Sequence, residues 1–416
     1  MILAGRKISL GPATARRVCM KQSESAVFDQ AAQALDSFQI EIPSWGFANT
    51  GTRFGKFTQA AAASTLAEKF SDAAEVKRLT GATPTLALHV LWDLPNGVRD
   101  VPQVQNLEES FAIRAGSINP NLFQDQAYKY GSLCSPEDKV REHAVGHVLE
   151  SIEIAKRLGS RDLSLWLPDG SNYPGTQSIR KRIGWLEDAL RTVHAHLGPD
   201  QRLLIEYKPF EPAFYHTDIA DWGMSSHLAR EAGSQARVLV DTGHHYSAQN
   251  IEQIVAWLLH TGLLGGFHFN DRRYADDDLT LGSIDPYQIF RIFHEIHAGA
   301  EDGLDPGIAF MIDQSHNLKG KIEATVQTVV TAQELWVKAA LVDRKQLARL
   351  QQSCDLVAAE ELFRGAFWRD VRPLTRGWRE ARGLPADPLE ALRNDGYVER
   401  VSRERAGRNT TVNSYA

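Results

Sequence analysis

Eight short apolar runs alternate with helical stretches along most of the chain, and this alternation constrains the fold more than any other feature. The runs are rich in apolar residues and most of them end in polar or charged ones, which is typical of buried parallel strands. They are Phe38–Trp45, Thr83–Trp92, Phe111–Leu122, Asp162–Pro168, Arg202–Pro209, Arg237–Asp241, Gly265–Asp271 and Gly307–His316. Eight strands that alternate with helices predict an α/β fold, the (β/α)8 or TIM barrel.

The predicted barrel spans residues 38–341 and leaves a segment at each end. Residues 1–37 are predicted to form an N-terminal helical preface, and residues 342–416 a C-terminal helical extension that serves assembly and ends in a mobile tail. The basic residues of that tail, which are interpreted as solvated, are Arg400, Arg403, Arg405 and Arg408. An open doubly wound sheet is the main alternative, but no Gly-x-Gly-x-x-Gly follows the first strand.

One long amphipathic helix carries a pair of histidines that needs interpretation. The helix is predicted from Pro136 to Leu158, with Ser135 as its N-cap. His143 and His147 lie four residues apart on it, which is the spacing of a helical zinc motif. The Glu that this motif requires between them is absent, so the pair is predicted to be structural.

Length, charge and cysteine content exclude several classes of protein. A chain of 416 residues suits one large barrel with appendages, and its net charge of -6 gives no reason to expect a nucleic-acid partner. Cys19, Cys134 and Cys354 have no paired spacing, which favours a reducing compartment over disulfides or a cysteine metal site. Because no apolar run has the length of a membrane span or resembles a secretory signal, we expect a soluble cytoplasmic protein.

Polar groups stand at the ends of several predicted strands, and the carboxyl ends of the strands are where barrel enzymes carry their chemistry. The segment Val238–Asp241 is an apolar strand that ends in a carboxylate, and His244 follows three residues later. A buried carboxylate is costly unless a cation or hydrogen bonds compensate it. Further metal-competent groups at the same rim are Glu206, His268, Asp276, Asp278 and Asp313.

Each of these residues has a structural alternative when it is considered alone. Asp241 could cap the following helix, His268 could be a satisfied core histidine, and the acidic run 276–278 could be a solvated loop. The prediction therefore depends on four successive strands that each deliver a metal-competent group to one rim.

Together the residues predict two neighbouring cation sites. Glu206, Asp241, His268 and Asp313 can form one site, and if Asp241 bridges, His244, Asp276 and Asp278 can complete a second. Two cations held mainly by oxygen suit Mn²⁺, Mg²⁺ or Co²⁺ better than structural Zn²⁺. Of these we expect Mn²⁺, at two divalent cations per subunit, without excluding Zn²⁺.

The segments that carry these residues resemble the xylose-isomerase-like sugar isomerases, and most closely the bacterial L-rhamnose isomerases of broad aldose specificity. The matching pieces are Ile205–Pro209, Asp241-Thr-Gly-His244, His268-Phe-Asn-Asp271, Asp276-x-Asp278 and Met311–Asn317. The resemblance covers the barrel from about Phe38 to Leu341. It implies reversible aldose–ketose isomerisation by a metal-assisted hydrogen shift between C1 and C2, and assembly as a homotetramer in carbohydrate metabolism.

The resemblance also implies roles for individual residues. Lys208 lies two residues after Glu206, so both side chains face the same side of the strand, and it would contact O1 of the sugar. His89 would assist ring opening or hold a distal hydroxyl, and Trp45 and Trp166 would pack on the apolar face of the sugar. Lys208, Asp313 and His89 are thus the expected catalytic residues. The segment Gly51–Phe57 is a candidate for closing the site of a neighbouring subunit.

Four other functions compete with this interpretation. A ketose 3-epimerase on the same barrel would use one metal and two glutamates, whereas strand eight here carries Asp313 and an Asp276/Asp278 pair is added. A metal-dependent endonuclease would want more histidines and a basic rim. A non-enzymatic sugar-binding protein would leave the ligands on four successive strands without explanation. A xylose-isomerase-like enzyme for another aldose also remains open.

Overall fold

A parallel eight-stranded barrel forms the centre of the computed structural model, which describes residues 12–49, 57–211, 215–274, 276, 278–304 and 306–408. The strands follow one another around the sheet in chain order, and every neighbouring pair is parallel. They are β1 (Ile42–Pro43), β2 (Thr85–His89), β3 (Arg114–Asn119), β4 (Asp162–Leu165), β5 (Arg202–Glu206), β8 (Ala236–Asp241), β9 (Leu264–Phe269) and β10 (Ala309–Ile312). Two further strands, β6 (Phe210–Glu211) and β7 (Tyr215–His216), form a separate antiparallel hairpin.

The barrel closes between its first and last strands. Glu41, just before β1, pairs in parallel with Met311 of β10. The Glu41 amide donates to the carbonyl of Phe310 at 2.8 Å, and the Ile312 amide donates to the carbonyl of Glu41 at 2.9 Å. The eight-stranded α/β barrel predicted from the sequence is therefore confirmed.

Helices cover the outside of the barrel. In chain order they are α1 (Pro12–Ser37), α2 (Leu66–Thr80), α3 (Val101–Phe111), α4 (Asp138–Leu158), α5 (Ile179–Ala195), α6 (Trp222–Ala232), α7 (Ile251–His260), α8 (Pro286–Glu301), α9 (Lys321–Ala340), α10 (Arg344–Gln352), α11 (Leu356–Trp368), α12 (Arg372–Glu380), α13 (Pro388–Asn394) and α14 (Tyr397–Glu404). Among the described residues, no helix is both long and apolar enough to cross a membrane.

One local prediction about a helix was wrong, and one helix was missed. Helix α4 begins at Asp138 with Glu137 in the N-cap position, so Ser135 is not its cap, although Gly159 ends the helix in the left-handed conformation (φ 68°) as its composition indicates. Helix α3 fills a stretch for which no helix was predicted. It has Pro102 at its start, where the missing N–H of proline costs nothing.

Two cores follow from the alternation of side chains along each strand. Outward-facing residues pack against the helices, where Phe38, Phe293, Phe310 and Trp336 form an aromatic cluster. Inside the barrel, Leu204, Leu239 and Met311 form a small buried apolar layer. Each lies two residues before a polar residue of the carboxyl-terminal rim, namely Glu206, Asp241 or Asp313. This apolar layer therefore forms the floor directly below the rim.

The C-terminal helices pack against the outside of the barrel. Leu35 of α1, Val337 of α9 and Trp378 of α12 share one buried cluster. The predicted solvated tail is wrong at Arg405, which is only 2 % exposed and forms two 2.9 Å hydrogen bonds with the Asp72 carboxylate on α2. The division into residues 1–37, 38–341 and 342–416 stays a prediction, as does a role of the last segment in assembly.

Candidate active site

The ends of β5, β8, β9 and β10 bring four predicted ligands together. Glu206 and Asp241 are the last residues of their strands, His268 is the register partner of Asp241, and Asp313 directly follows β10. One ligand atom from each of the four lies within 4.8 Å of the others. Adjacent parallel strands end at one rim of the barrel, and this geometry explains how residues up to 107 positions apart in sequence converge.

A second group shares Asp241 with the first. Ligand atoms of Asp241, His244 and Asp276 lie within 4.8 Å of one another. The Nδ1 atom of His244 is 3.0 Å from the carbonyl oxygen of Tyr207, and its Nε2 atom lies 3.4 Å from Asp276 Oδ2 and 3.8 Å from Asp241 Oδ2. A hydrogen bond from Nδ1 to the carbonyl fixes the ring so that Nε2 faces the carboxylates.

Asp278 lies next to this second group but is not part of the three-residue cluster. Its backbone is left-handed (φ 48°), a conformation that Asp tolerates better than most residues. Burial raises the pKa of Asp278 well above its usual value, and the neighbouring Asp276 charge raises it further. Asp277 lies outside the described residues.

The charges of the site balance only in part. Burial raises the pKa of Glu206, but the facing His268 and His244 outweigh it and bring that pKa to about 2. Burial lowers the pKa of His268, but Glu206 reverses the shift and raises it to about 9. Asp241 is 1 % exposed, and its burial, together with Glu206 and Asp276, raises its pKa to about 7. Carboxylates outnumber the cationic groups, so the site has capacity for further positive charge.

A second observation also indicates that these residues are suited to bind divalent cations. Asp241 Oδ2 is buried and receives no hydrogen bond from any residue within the described ranges. A buried carboxylate oxygen without a donor is costly in a protein that lacks a cation at that point. Carboxylate oxygens and imidazole nitrogens are suitable ligands for such ions.

The residues predicted to contact substrate form one wall beside the two groups of carboxylates. Lys208 Nζ lies 2.9 Å from Asp276 Oδ2 and 5.3 Å from the centre of the Trp166 ring. The indole N–H of Trp45 donates to Asp313 Oδ1 at 2.9 Å, and the Trp45 ring lies 5.9 Å from that of His89. The structure thus connects this wall to both groups of carboxylates.

Two aromatic residues of the wall were not predicted. Trp92 stacks on His89 with ring centres 3.8 Å apart, and Phe123 lies 5.6 Å from His89 and 5.2 Å from Trp166. Trp92 and Phe123 follow the observed ends of β2 and β3, as Trp45 and Trp166 follow those of β1 and β4. An aromatic residue at a strand end was therefore a signal that the sequence offered.

A buried ion pair beneath the wall was also missed. Asp93 accepts hydrogen bonds from the Lys69 ammonium at 2.6 Å, the Ser44 hydroxyl at 2.5 Å and the His89 backbone N–H at 2.8 Å. It therefore ties α2 to the ends of β1 and β2. The His143/His147 pair lies elsewhere, and His147 Nε2 accepts from the Asn121 amide at 2.9 Å, consistent with the structural interpretation.

Comparison with known proteins agrees with the fold described above. Residues 92–303 match the family described as xylose isomerase-like TIM barrel. A probable sugar isomerase of Mesorhizobium japonicum is 40% identical over 91% of this chain and 88% of its own. A second, from Rhizobium meliloti, is 38% identical over 95% of this chain and 91% of its own.

Among solved structures, that of an L-ribulose 3-epimerase matches 77% of this chain and 98% of its own, with a TM-score of 0.51 and 13% identity. At that identity the likeness concerns the fold alone. The two rhizobial relatives match 91% and 95% of this chain. The chain belongs to the family of xylose isomerase-like TIM-barrel sugar isomerases.

Proposed function

We propose that this protein is a metal-dependent aldose–ketose isomerase that converts L-rhamnose to L-rhamnulose and accepts other aldoses. The observation that carries the proposal is the pair of ligand groups that share Asp241. A two-cation site suits a reaction in which oxygens on neighbouring sugar carbons must be held and polarised together.

The proposed cations are two Mn²⁺ ions, with Co²⁺ or Mg²⁺ as substitutes. Glu206, Asp241, His268 and Asp313 would hold one, and Asp241, His244, Asp276 and Asp278 the other. When bound, they supply Lewis-acid polarisation of the sugar oxygens. The oxygen-rich ligand set favours these ions over structural zinc.

Lys208 is proposed to hydrogen-bond O1 of the open-chain sugar. The residue is 4 % exposed and its ammonium group already faces Asp276. An ammonium held in a buried site stabilises negative charge that develops on a nearby oxygen during hydrogen transfer. Its contact with the Trp166 ring fixes the side chain without removing its capacity to donate.

His89 is proposed to act as a neutral acceptor. Burial lowers its pKa to about 4, and its Nδ1 atom lies 3.0 Å from the carbonyl oxygen of Val90. A neutral imidazole that donates from Nδ1 keeps the Nε2 lone pair for a substrate hydroxyl. This arrangement supports a role in ring opening or in holding a distal hydroxyl.

The aromatic wall supports a sugar with an apolar end. Trp45, Trp92, Phe123 and Trp166 present ring faces and edges around His89. Such a surface is complementary to a C6 methyl group, because its ring faces offer dispersion contacts there. This is the reason to place L-rhamnose, a 6-deoxy sugar, first among the aldoses.

A homotetramer is proposed as the assembly. Helix α11 exposes Leu356, Val357 and Trp368 by 68%, 75% and 72%, respectively. Exposed apolar residues of this kind support burial between subunits. Light scattering coupled to gel filtration measures the mass; a monomer at micromolar concentration would contradict the proposal. The predicted closing segment Gly51–Phe57 lies outside the described residues apart from Phe57.

The decisive experiment strips the protein with chelator, restores Mn²⁺ and follows L-rhamnose by NMR beside a panel of aldoses and ketoses. We expect metal-dependent conversion of aldose to ketose, with transfer of hydrogen between C1 and C2, and we expect L-rhamnose to be converted fastest. A ketose that changes configuration at C3 while the aldoses stay unchanged would replace the proposal with an epimerase. Conversion of another aldose in preference to L-rhamnose would keep the isomerase and change its substrate.

A further inference from the structure

Asp241, the carboxylate shared by both ligand groups, is held from one side only. Its Oδ1 atom accepts hydrogen bonds from the Gly243 amide at 2.6 Å and from the Asn270 side-chain amide at 3.0 Å. Its Oδ2 atom accepts none from the described residues. The two oxygens therefore have different tasks: one is fixed by the protein and the other is left for the site.

Asn270 is itself fixed at both ends of its backbone. The Thr242 hydroxyl accepts from the Asn270 amide at 3.0 Å and donates to the Asn270 carbonyl oxygen at 2.8 Å. Asn270 has no exposed surface. The bonds join the segments that follow β8 and β9, so the side-chain amide of Asn270 has little freedom to move away from Asp241.

Gly243 makes room for this contact. A Cβ atom at position 243 would lie 2.6 Å from Asn270 Oδ1, closer than non-bonded atoms approach, and 3.1 Å from Asp241 Oδ1, which is a tight contact. Because the Asn270 side chain is enclosed, it could not yield to a methyl group without leaving its hydrogen bond. Glycine at 243 and asparagine at 270 are thus two parts of one arrangement.

We infer that Asn270 is a positioning residue that turns Asp241 so that Oδ2 faces both cation positions. The inference rests on the proposed function, since it concerns the same metal site. An amide is required because Asp241 Oδ1 needs a donor, and a carboxylate at 270 would present only acceptors. Partners of this kind beyond the metal ligands typically contribute about 10–100-fold in metal affinity.

The inference makes a distinctive prediction about stoichiometry. Asp241 belongs to both groups, so loss of the Asn270 amide weakens both cations. Loss of His244, which belongs to one group only, weakens one. A residue that merely stabilises the fold would lower the melting temperature without changing Mn²⁺ affinity in the folded protein.

The test is calorimetric titration of Mn²⁺ into chelator-stripped protein, with thermal unfolding measured in parallel. The variants are Asn270→Ala and Gly243→Ala. The control is Asn119→Ala, which removes another buried amide, one that donates to the Leu88 carbonyl at 3.2 Å on β2 and has no contact with Asp241. We expect Kd to rise about 10–100-fold at both sites in the two variants and to stay unchanged in the control.

The possible failures are distinguishable. If the wild-type protein binds two Mn²⁺ ions and Asn270→Ala binds them equally well, Asn270 has no positioning role and the isomerase proposal stands. If only one of the two affinities falls, Asp241 is not shared in the way inferred. If the wild-type protein binds no Mn²⁺, the proposed function fails and the inference fails with it. Should Asn270→Ala not fold, Gly243→Ala decides, because it adds a single methyl group.

Discussion

Both ends of the barrel interior contain buried carboxylates, but their oxygens are used differently. At the amino-terminal end, Glu41 accepts from the Ser117 amide at 2.9 Å and from the Ser117 hydroxyl at 2.5 Å. At the carboxyl-terminal end, Asp241 keeps one oxygen without a donor among the described residues. Burial of a carboxylate alone therefore does not indicate a metal site. A metal site is indicated where several ligand groups converge and a carboxylate oxygen has no hydrogen-bond donor.

At the amino-terminal end, arginine side chains of the protein neutralise a buried carboxylate. This end encloses a cavity of about 290 Å³ beside Glu41, Ser117 and Asp162. Asp162 pairs with Arg202 at 2.8 Å and with Arg161 at 3.0 Å, so its charge is neutralised by the protein. The apolar layer of Leu204, Leu239 and Met311 forms the floor of the carboxyl-terminal rim. Substitutions at the two ends should consequently have separate effects.

The largest effect is expected from Asp313→Asn at the carboxyl-terminal rim. Turnover of L-rhamnose should fall by about 10³-fold, the upper end of what loss of one electrostatic partner costs. The fold should survive, because the amide keeps the size of the side chain. The matched control is Glu41→Gln at the other end, which should retain turnover. Equal loss in both variants would abolish the distinction between the two ends.

Lys208→Met should produce the next largest effect. We expect kcat to fall by about 10²-fold while Mn²⁺ affinity changes much less, because Lys208 is proposed to act on the substrate and not on the cations. Initial rates at saturating sugar, combined with metal titration, separate the two quantities. If the variant binds Mn²⁺ more weakly but has a normal kcat at saturating Mn²⁺, Lys208 has a structural role.

His244→Ala should deplete one cation selectively. The metal content after gel filtration should fall from two ions per chain toward one, with affinity at the emptied position reduced by about 10-fold or more. Elemental analysis by mass spectrometry gives the stoichiometry directly. Unchanged content would show that His244 is not a ligand.

The smallest effect concerns Glu41 and pH. Burial raises the pKa of Glu41 above its ordinary 4.5 in the folded protein, although hydrogen bonds from Ser117 oppose this. A raised pKa means that the contribution of Glu41 to stability is fully present below pH 4.5 and is lost as pH rises through the folded value. Glu41→Gln should flatten that part of the pH profile and change the free energy of unfolding by about 1 kcal/mol. Urea unfolding at a series of pH values measures it, and a profile parallel to the wild type would contradict the assignment.

The sequence predicts the barrel and the convergence at its rim because both follow from periodic patterns. Glu206 and Asp241 end their strands, and parallel strands of one barrel share a rim. The Lys69–Asp93 pair was beyond reach because it depends on which face of α2 meets the end of β2. Arg405 was misread for the same reason: a basic residue in a polar segment indicates solvent until its distant partner is known.

Arg405 and Asp72 also bear on how the protein is made. They are separated by 333 residues, and Asp72 lies in α2, near the beginning of the barrel. Asp72 leaves the ribosome early, and its guanidinium partner is made only when synthesis is almost complete. During that interval the carboxylate has no partner for burial. A buried charge without its partner is strongly destabilising. The first strands and helices can therefore form early, but their final packing must await Arg405, which directly follows α14, and chains cut short before it should be recognised as unfinished.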